Sequence, residues 1–210
     1  MTDNQEAPSD AVPLWLLDVD GVLNAVALQP DYEVWTQWRR GVARTDYRTR
    51  AWPIQWAPAV VEALCSCRAC GRVEITWLTT WASDANDELA TLLGMPLLPV
   101  AGAPPRRVRP SPQSVAAGEA SGTHAVVAGA DAEDPLTGRW WKFDVVRRLA
   151  GDNPRRRLVW TDDDLAIEPE VMAWMRAHTS SLLIAPDPRH GLTPAHLQAI
   201  DQFLSAPAAS

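Results

Sequence analysis

Five acidic side chains, one lysine and a pair of threonines stand out as residues that could do chemistry. Asp18 and Asp20 sit one residue apart in PLWLLDVDGVLNAV, after an apolar run and just before Gly21. Asp162, Asp163 and Asp164 close a second apolar run in LVWTDDDL, and Thr79-Thr80 close a third in VEITWLTT. Lys142 follows Trp140-Trp141 in WWKFDVV. An Asp-Gly pair alone reads as an ordinary turn. Carboxylates at the ends of buried strands are costly unless paired, hydrogen-bonded or bound to a cation. A hard cation such as Mg²⁺ takes carboxylate and carbonyl oxygens. Carboxylates, such a cation, one ammonium and one hydroxyl make a reasonable site for phosphoryl transfer.

These residues work together only if the fold brings them together. The short apolar runs 14–20, 73–80, 96–100, 157–163 and 181–186 suit buried parallel strands. Helical patterns separate them over 58–70, 83–94, 141–151, 168–178 and 193–204, with Gly94 and Gly151 as stops and Pro194 at a first helical position. Alternating strands and helices predict an α/β fold with a mainly parallel sheet. Ligands bind such sheets at the carboxyl ends of the strands, where all these side chains would lie. Two segments break the alternation. Residues 27–57 predict a flap hairpin turning at Arg40-Gly41, with Trp35, Trp38, Trp52 and Trp56 on its arms. Residues 101–139, rich in Pro, Gly, Ala and Ser, read as a loop-like insertion, with HAVVAG (124–129) as one short strand.

Bulk properties narrow the class. The 210 residues are 47% hydrophobic, which suits a single domain over 12–206 behind a disordered leader at 1–11. The net charge of −7 gives no global basic field for nucleic acid. No run approaches a membrane span and the polar N-terminus is not a secretory signal, so a cytoplasmic protein is expected. Cys65, Cys67 and Cys70 in CSCRAC lack a fourth zinc ligand nearby and fall on a helical pattern, which predicts reduced cysteines on a helix. Of 19 basic residues only Lys142 is lysine. A chain that uses Arg elsewhere keeps Lys where a compact point charge is needed. Lys142→Arg is therefore expected to remove activity without loss of stability.

In order and spacing, LLDVDGVLN, ITWLTTW, Lys142 and VWTDDDL resemble the four motifs of haloacid-dehalogenase-type (HAD) phosphohydrolases over residues 14–165. The closing LLIAPDPRHGLTPAHL resembles the tail of a branch found in bacterial proteins, some linked to RNA repair. The resemblance implies a three-layer Rossmann-like core. It implies that Asp18 is the nucleophile, forming an aspartyl-phosphate, and that Asp20 protonates the leaving oxygen and then activates water. It implies that Thr79, rather than its neighbour Thr80, hydrogen-bonds the phosphoryl oxygens. Lys142 would neutralise charge on Asp18 and the phosphoryl group. Mg²⁺ would be held by Asp18, the Asp20 carbonyl and Asp162, with Asp163 in support; Asp164 is left outside the site. Dehalogenases of this superfamily lack the second aspartate, so Asp20 favours phosphate chemistry.

Neither irregular segment has the look of a large cap domain, and an open site suits bulky phosphoesters. The expected partner is a phosphorylated small molecule or nucleic-acid end, and no membrane. Arg39, Arg40, Arg44, Arg48 and Arg50 with the flap tryptophans could meet phosphates and bases, or form a solvated hairpin with its tryptophans on the core. Two rival readings are a phosphoacceptor receiver-like signalling domain and a non-catalytic binding protein on the same fold. In receivers the acidic pair precedes the acceptor strand; here Asp18 and Asp20 share one strand end.

Overall fold

In the computed structural model the described residues are 12–44, 51–105 and 140–207. Four strands, β1 (Leu14–Leu17), β4 (Glu74–Trp77), β5 (Leu158–Thr161) and β6 (Ser181–Ile184), form one sheet in the order β4-β1-β5-β6. Every pairing in it is parallel, and Leu17 is level with both Trp77 and Thr161. The strands read as near-continuous apolar runs because both faces are covered. Trp15, Leu17, Ile75, Trp77 and Val159 pack to one side, and Leu14, Leu16, Leu158 and Trp160 to the other.

Helices α1 (Pro58–Ala69) and α5 (Pro194–Ser205) bring Val60, Leu64, Ile200 and Leu204 to the first face. Helices α3 (Trp141–Asp152) and α4 (Pro169–His178) bring Trp141, Val146, Val171 and Met175 to the second. The result is a three-layer α/β core. The chain leaves β1 for β4 on one side, then crosses back to β5 on the other. Such a reversal opens a crevice at the carboxyl ends of the strands.

A separate antiparallel hairpin joins β2 (Arg39–Arg44) to β3 (Ala51–Trp56). Arg40 and Gly41 lie inside β2, which corrects the expected turn at that pair. Gly41 serves close packing instead: a Cβ there would press on Leu92. Trp52 and Trp56 are on β3, whereas Trp35 and Trp38 precede the hairpin rather than sit on an arm. Trp35, Trp38 and Trp52 pack against the core, and Trp35 Nε1 donates to the Leu192 carbonyl at 2.8 Å.

Residues 96–100 do not form the expected strand. Pro96 and Pro99 have no N–H to donate, and only Val100 bridges to Trp77. The expected helix at 83–94 is π-helical over Ala85–Ala90 and continues as α2 (Thr91–Leu93). Within it, Asn86 Oδ1 accepts from Trp77 Nε1 and from Leu98 N, both at 3.0 Å. Cys65 and Cys67 lie on α1, and Cys70 follows its last turn; all three are free. Burial raises the Cys67 thiol pKa. The leader, Arg48, Arg50, the 124–129 strand and most of the 101–139 insertion lie outside the described residues. No helix among the described residues is long and apolar enough to cross a membrane.

Candidate active site

The sheet register delivers the acidic residues to one place. Asp18 follows Leu17 and Asp162 follows Thr161, and those two strand ends are partners. The backbone carries the ladder one step further: Asp18 N donates to the Thr161 carbonyl and Asp162 N to the Ile184 carbonyl, each at 3.1 Å. On the other flank Leu78 N donates to the Leu17 carbonyl, which sets Thr79 at the end of β4. Trp15 Nε1 donates across the sheet to Thr161 Oγ1 at 3.0 Å and helps to hold β1 and β5 in register.

Lys142, the second residue of α3, reaches into this edge and is fully buried. Its Nζ lies 2.9 Å from Asp18 Oδ2 and 3.0 Å from Asp162 Oδ2. Asp18 and Asp162 are buried as well. Buried charges persist only in company, and removing one partner of such a set typically costs about 3–5 kcal/mol. The surroundings are aromatic. Trp160 Nε1 donates to Asp162 Oδ2 at 3.2 Å. Trp140 stacks on Trp160 with ring centroids 5.1 Å apart, and Lys142 Nζ lies 5.5 Å from the Trp140 ring centroid. Few waters can compete for these charges, so each interaction is stronger than at the surface.

Asp162 also caps the 3₁₀ turn Asp163–Ile167 by accepting from Asp164 N. That turn aims Asp163 back at the first loop. Gly21 has φ +71°, and a Cβ on it would overlap the Asp163 carboxylate. Glycine is needed there for its backbone angle and for space. Asp18, Asp162 and Asp163 each offer an oxygen, and the three oxygens lie within 4.8 Å of one another. No other group of this kind occurs among the described residues. An all-carboxylate set at this spacing suits a hard cation such as Mg²⁺.

The Asp20 side chain is not part of that cluster. It is held from both sides: Asn24 Nδ2 donates to Oδ1 at 2.8 Å and Trp81 Nε1 to Oδ2 at 3.0 Å. Asn24 Oδ1 accepts in turn from Gln55 N at 2.8 Å, which ties the Asp20 loop to the hairpin. Thr79 is fully buried and its Oγ1 accepts from Trp81 N at 3.4 Å, whereas Thr80 is half-buried. The carboxyl-terminal tail braces the same loop. Leu192 N donates to the Val22 carbonyl at 2.8 Å, and a Cβ on Gly191 would overlap that carbonyl.

The structure therefore gathers Asp18, Lys142, Asp162 and Asp163 at one strand edge. It sets Asp20 beside them on the loop after β1 and Thr79 at the end of β4. It adds Asn24, Trp81, Trp140 and Trp160, which the sequence reading did not single out. The only signals for them were polar or indole side chains close to the motifs: Asn24 four residues after Asp20, Trp81 directly after the threonine pair. Of the flap arginines, Arg39, Arg40 and Arg44 are exposed. Arg40 Nε donates to Gln55 Oε1 at 2.8 Å, so part of its guanidinium is committed to the hairpin itself.

Residues 14–197 match the family described as the HAD domain in Swiss Army Knife RNA repair proteins. No curated protein and no solved structure matches the chain.

Proposed function

The chain belongs to the family of the HAD domain in Swiss Army Knife RNA repair proteins, which makes it a HAD-type phosphohydrolase in general, and from that premise we propose that it is a Mg²⁺-dependent phosphomonoesterase with Asp18 as nucleophile. The observation that carries the reading is the buried contact of Lys142 Nζ with Asp18 Oδ2 and Asp162 Oδ2, beside an Asp20 held by two donors. Asp18, Asp162 and Asp163 would hold the cation together with the Asp20 carbonyl. When bound, Mg²⁺ offsets negative charge on the phosphoryl oxygens and on Asp18.

The chain's own groups supply the rest. An Asp18 carboxylate oxygen attacks phosphorus, and the bond to the leaving oxygen breaks. Asp20 gives that oxygen a proton as the bond breaks, general acid help of roughly 10²–10⁴-fold. Lys142 stabilises the negative charge of the transferring group in a water-poor setting. The Thr79 hydroxyl hydrogen-bonds the phosphoryl oxygens. Asp20, now a carboxylate, takes a proton from water as that water attacks the aspartyl-phosphate. Phosphate leaves and Asp18 is restored. The covalent intermediate divides one difficult displacement into two easier ones.

The family description favours a nucleic-acid end, a terminal phosphomonoester on RNA, as substrate. The test is hydrolysis of a chromogenic phosphomonoester and of 3′- and 5′-phosphorylated oligoribonucleotides, with Mg²⁺ and with chelator. Mg²⁺-dependent phosphate release is expected, with the oligoribonucleotide preferred. Turnover indifferent to chelator would contradict the cation's role. Absence of turnover on every phosphomonoester would favour a binding protein on this fold.

A further inference from the structure

The outer face of β2 carries positive charge that nothing on the hairpin cancels. Along a strand, residues 40, 42 and 44 point one way and residues 39, 41 and 43 the other. Ala43 is buried and a Cβ on Gly41 would press on Leu92, so that side meets the rest of the molecule. Arg40, Val42 and Arg44 share the opposite face, and all three are exposed. At about 3.3 Å per residue the two arginines stand roughly 13 Å apart. Their partners across the hairpin, Gln55 and Ala51, are neutral.

Arg40 is held ready for an anion. Its Nε donates to Gln55 Oε1 at 2.8 Å and its Nη2 to the Leu28 carbonyl at 3.1 Å. Both acceptors are uncharged, so they orient the guanidinium without neutralising it. Its Nη1 has no hydrogen-bond partner among the described residues. Arg72, Arg156 and Arg189 each pair with a carboxylate. Arg40 and Arg44 pair with none among the described residues. Glu88 Oε2 does accept from Arg44 N at 3.1 Å, a bond to the backbone and not to the guanidinium. A cavity of about 310 Å³ opens beside Arg40, and no other charged residue lines it. In a chain of net charge −7 this strand is a local exception.

The same face is tied to the catalytic edge. Three hydrogen bonds of 2.8 Å lead from Arg40 to the candidate acid: Arg40 Nε to Gln55 Oε1, Gln55 N to Asn24 Oδ1, and Asn24 Nδ2 to Asp20 Oδ1.

We propose that the outer face of β2 is a track for the backbone of a single-stranded nucleic acid: Arg40, and beyond it Arg44, bind phosphodiester groups of the strand whose terminal phosphate is held at Asp18. The inference rests on the phosphohydrolase reading and adds how the rest of the substrate is gripped. Guanidinium contacts to phosphates position a strand without reading its bases, so binding is indifferent to sequence and weakens with salt. A mononucleotide has no phosphodiester to offer and gains nothing from the track.

The test measures equilibrium affinity in full-length Asp18→Asn protein with Mg²⁺, where turnover is blocked. The probes are oligoribonucleotides of about ten residues with a 3′- or a 5′-terminal phosphate, the matching mononucleotides, and the same oligomers with neutral methylphosphonate linkages. At least one phosphodiester oligomer should bind about tenfold or more tightly than its mononucleotide, and the methylphosphonate oligomer should lose that advantage. Arg40→Gln and Arg44→Gln should each lower the ratio of oligomer to mononucleotide affinity. Each should also reduce the slope of log affinity against log salt by about 0.7, the single-strand value for one phosphate contact. Equal affinity for oligomer and mononucleotide overturns the track and leaves the phosphohydrolase reading standing. So does a methylphosphonate oligomer that binds as well as the phosphodiester one. Substitutions that weaken oligomer and mononucleotide alike would make Arg40 a brace for the Asp20 loop, and overturn it too. Tighter binding of an acidic peptide of the same length would assign the face to a protein partner instead. Failure of every phosphomonoester to bind contradicts both the track and the phosphohydrolase reading.

Discussion

Trp81 Nε1 donates to Asp20 Oδ2 at 3.0 Å, joining the loop after β4 to the loop after β1. Asn24 takes the other carboxylate oxygen. A proton donor and acceptor works only if it points at the leaving oxygen, and these two hydrogen bonds set its direction. Trp81→Phe keeps the ring and removes the donor. A hydrogen bond to a charged group is worth about 1.5–3 kcal/mol, so kcat should fall roughly tenfold or more. KM should change little, because binding of the phosphate does not use this bond. Steady-state kinetics separates the outcomes: an unchanged kcat would remove Trp81 from the positioning of Asp20.

Lys142→Arg should abolish most turnover although charge is conserved. The guanidinium is broader than an ammonium, and the site is closed by Asp18, Asp162 and the Trp140 ring. The expectation that stability would be untouched does not survive the geometry. Lys142 is fully buried, and overpacking a closed site costs about 1–3 kcal/mol. A thermal melt should therefore show a clear loss of Tm in Lys142→Arg, whereas an exposed change such as Arg155→Lys should leave Tm where it was. Equal Tm for all three proteins would mean that the site can open around the larger group.

Gly21→Ala should weaken cation binding. The φ of +71° disfavours alanine, and the new methyl would push the Asp163 carboxylate out of the acidic cluster. The Mg²⁺ concentration for half-maximal activity should rise by about tenfold, with a destabilisation of about 1–3 kcal/mol. A magnesium titration alongside a denaturant melt checks both. An unchanged titration would place Asp163 outside cation binding.

Much of this site was legible because buried parallel strands announce themselves. LWLL, LVWT and EITW are short apolar runs, and the groups with chemistry begin where each run stops. PLLPV looked the same by hydropathy, but its prolines cannot enter the ladder, so apolar content alone misled. Gly41 was read as a turn because glycine has two uses and sequence does not separate them. In the structure it gives room to Leu92, and β2 runs straight through it. Trp81 and Asn24 were missed for another reason. Their function is a contact with Asp20, and for Trp81 that contact crosses 61 residues of chain. No local pattern encodes it.

The start of α5 should be sensitive to acid. His196 Nδ1 accepts from Thr193 N, and Thr193 Oγ1 accepts from His196 N, a reciprocal cap that needs neutral imidazole. Burial lowers the His196 pKa in the folded state. The unfolded chain then binds the extra proton more readily, so the contribution is whole above about pH 6.5 and is lost as pH falls through the folded value. His196→Gln keeps an acceptor at the same position without titrating. The Tm difference between wild type and His196→Gln should therefore shift against wild type from pH 7.5 to pH 5. A difference that is constant with pH would contradict the cap.

The most direct test of the central claim is kcat for Asp18→Asn beside wild type, with Mg²⁺ present and Tm measured on both. The amide is nearly isosteric and Lys142 keeps Asp162 as a partner, so the fold should persist. An amide oxygen is a poor nucleophile, and loss of the attacking group should lower kcat by about 10³-fold or more. A folded Asp18→Asn protein with kcat near that of wild type would contradict the assignment of Asp18 as nucleophile, and with it the aspartyl-phosphate mechanism.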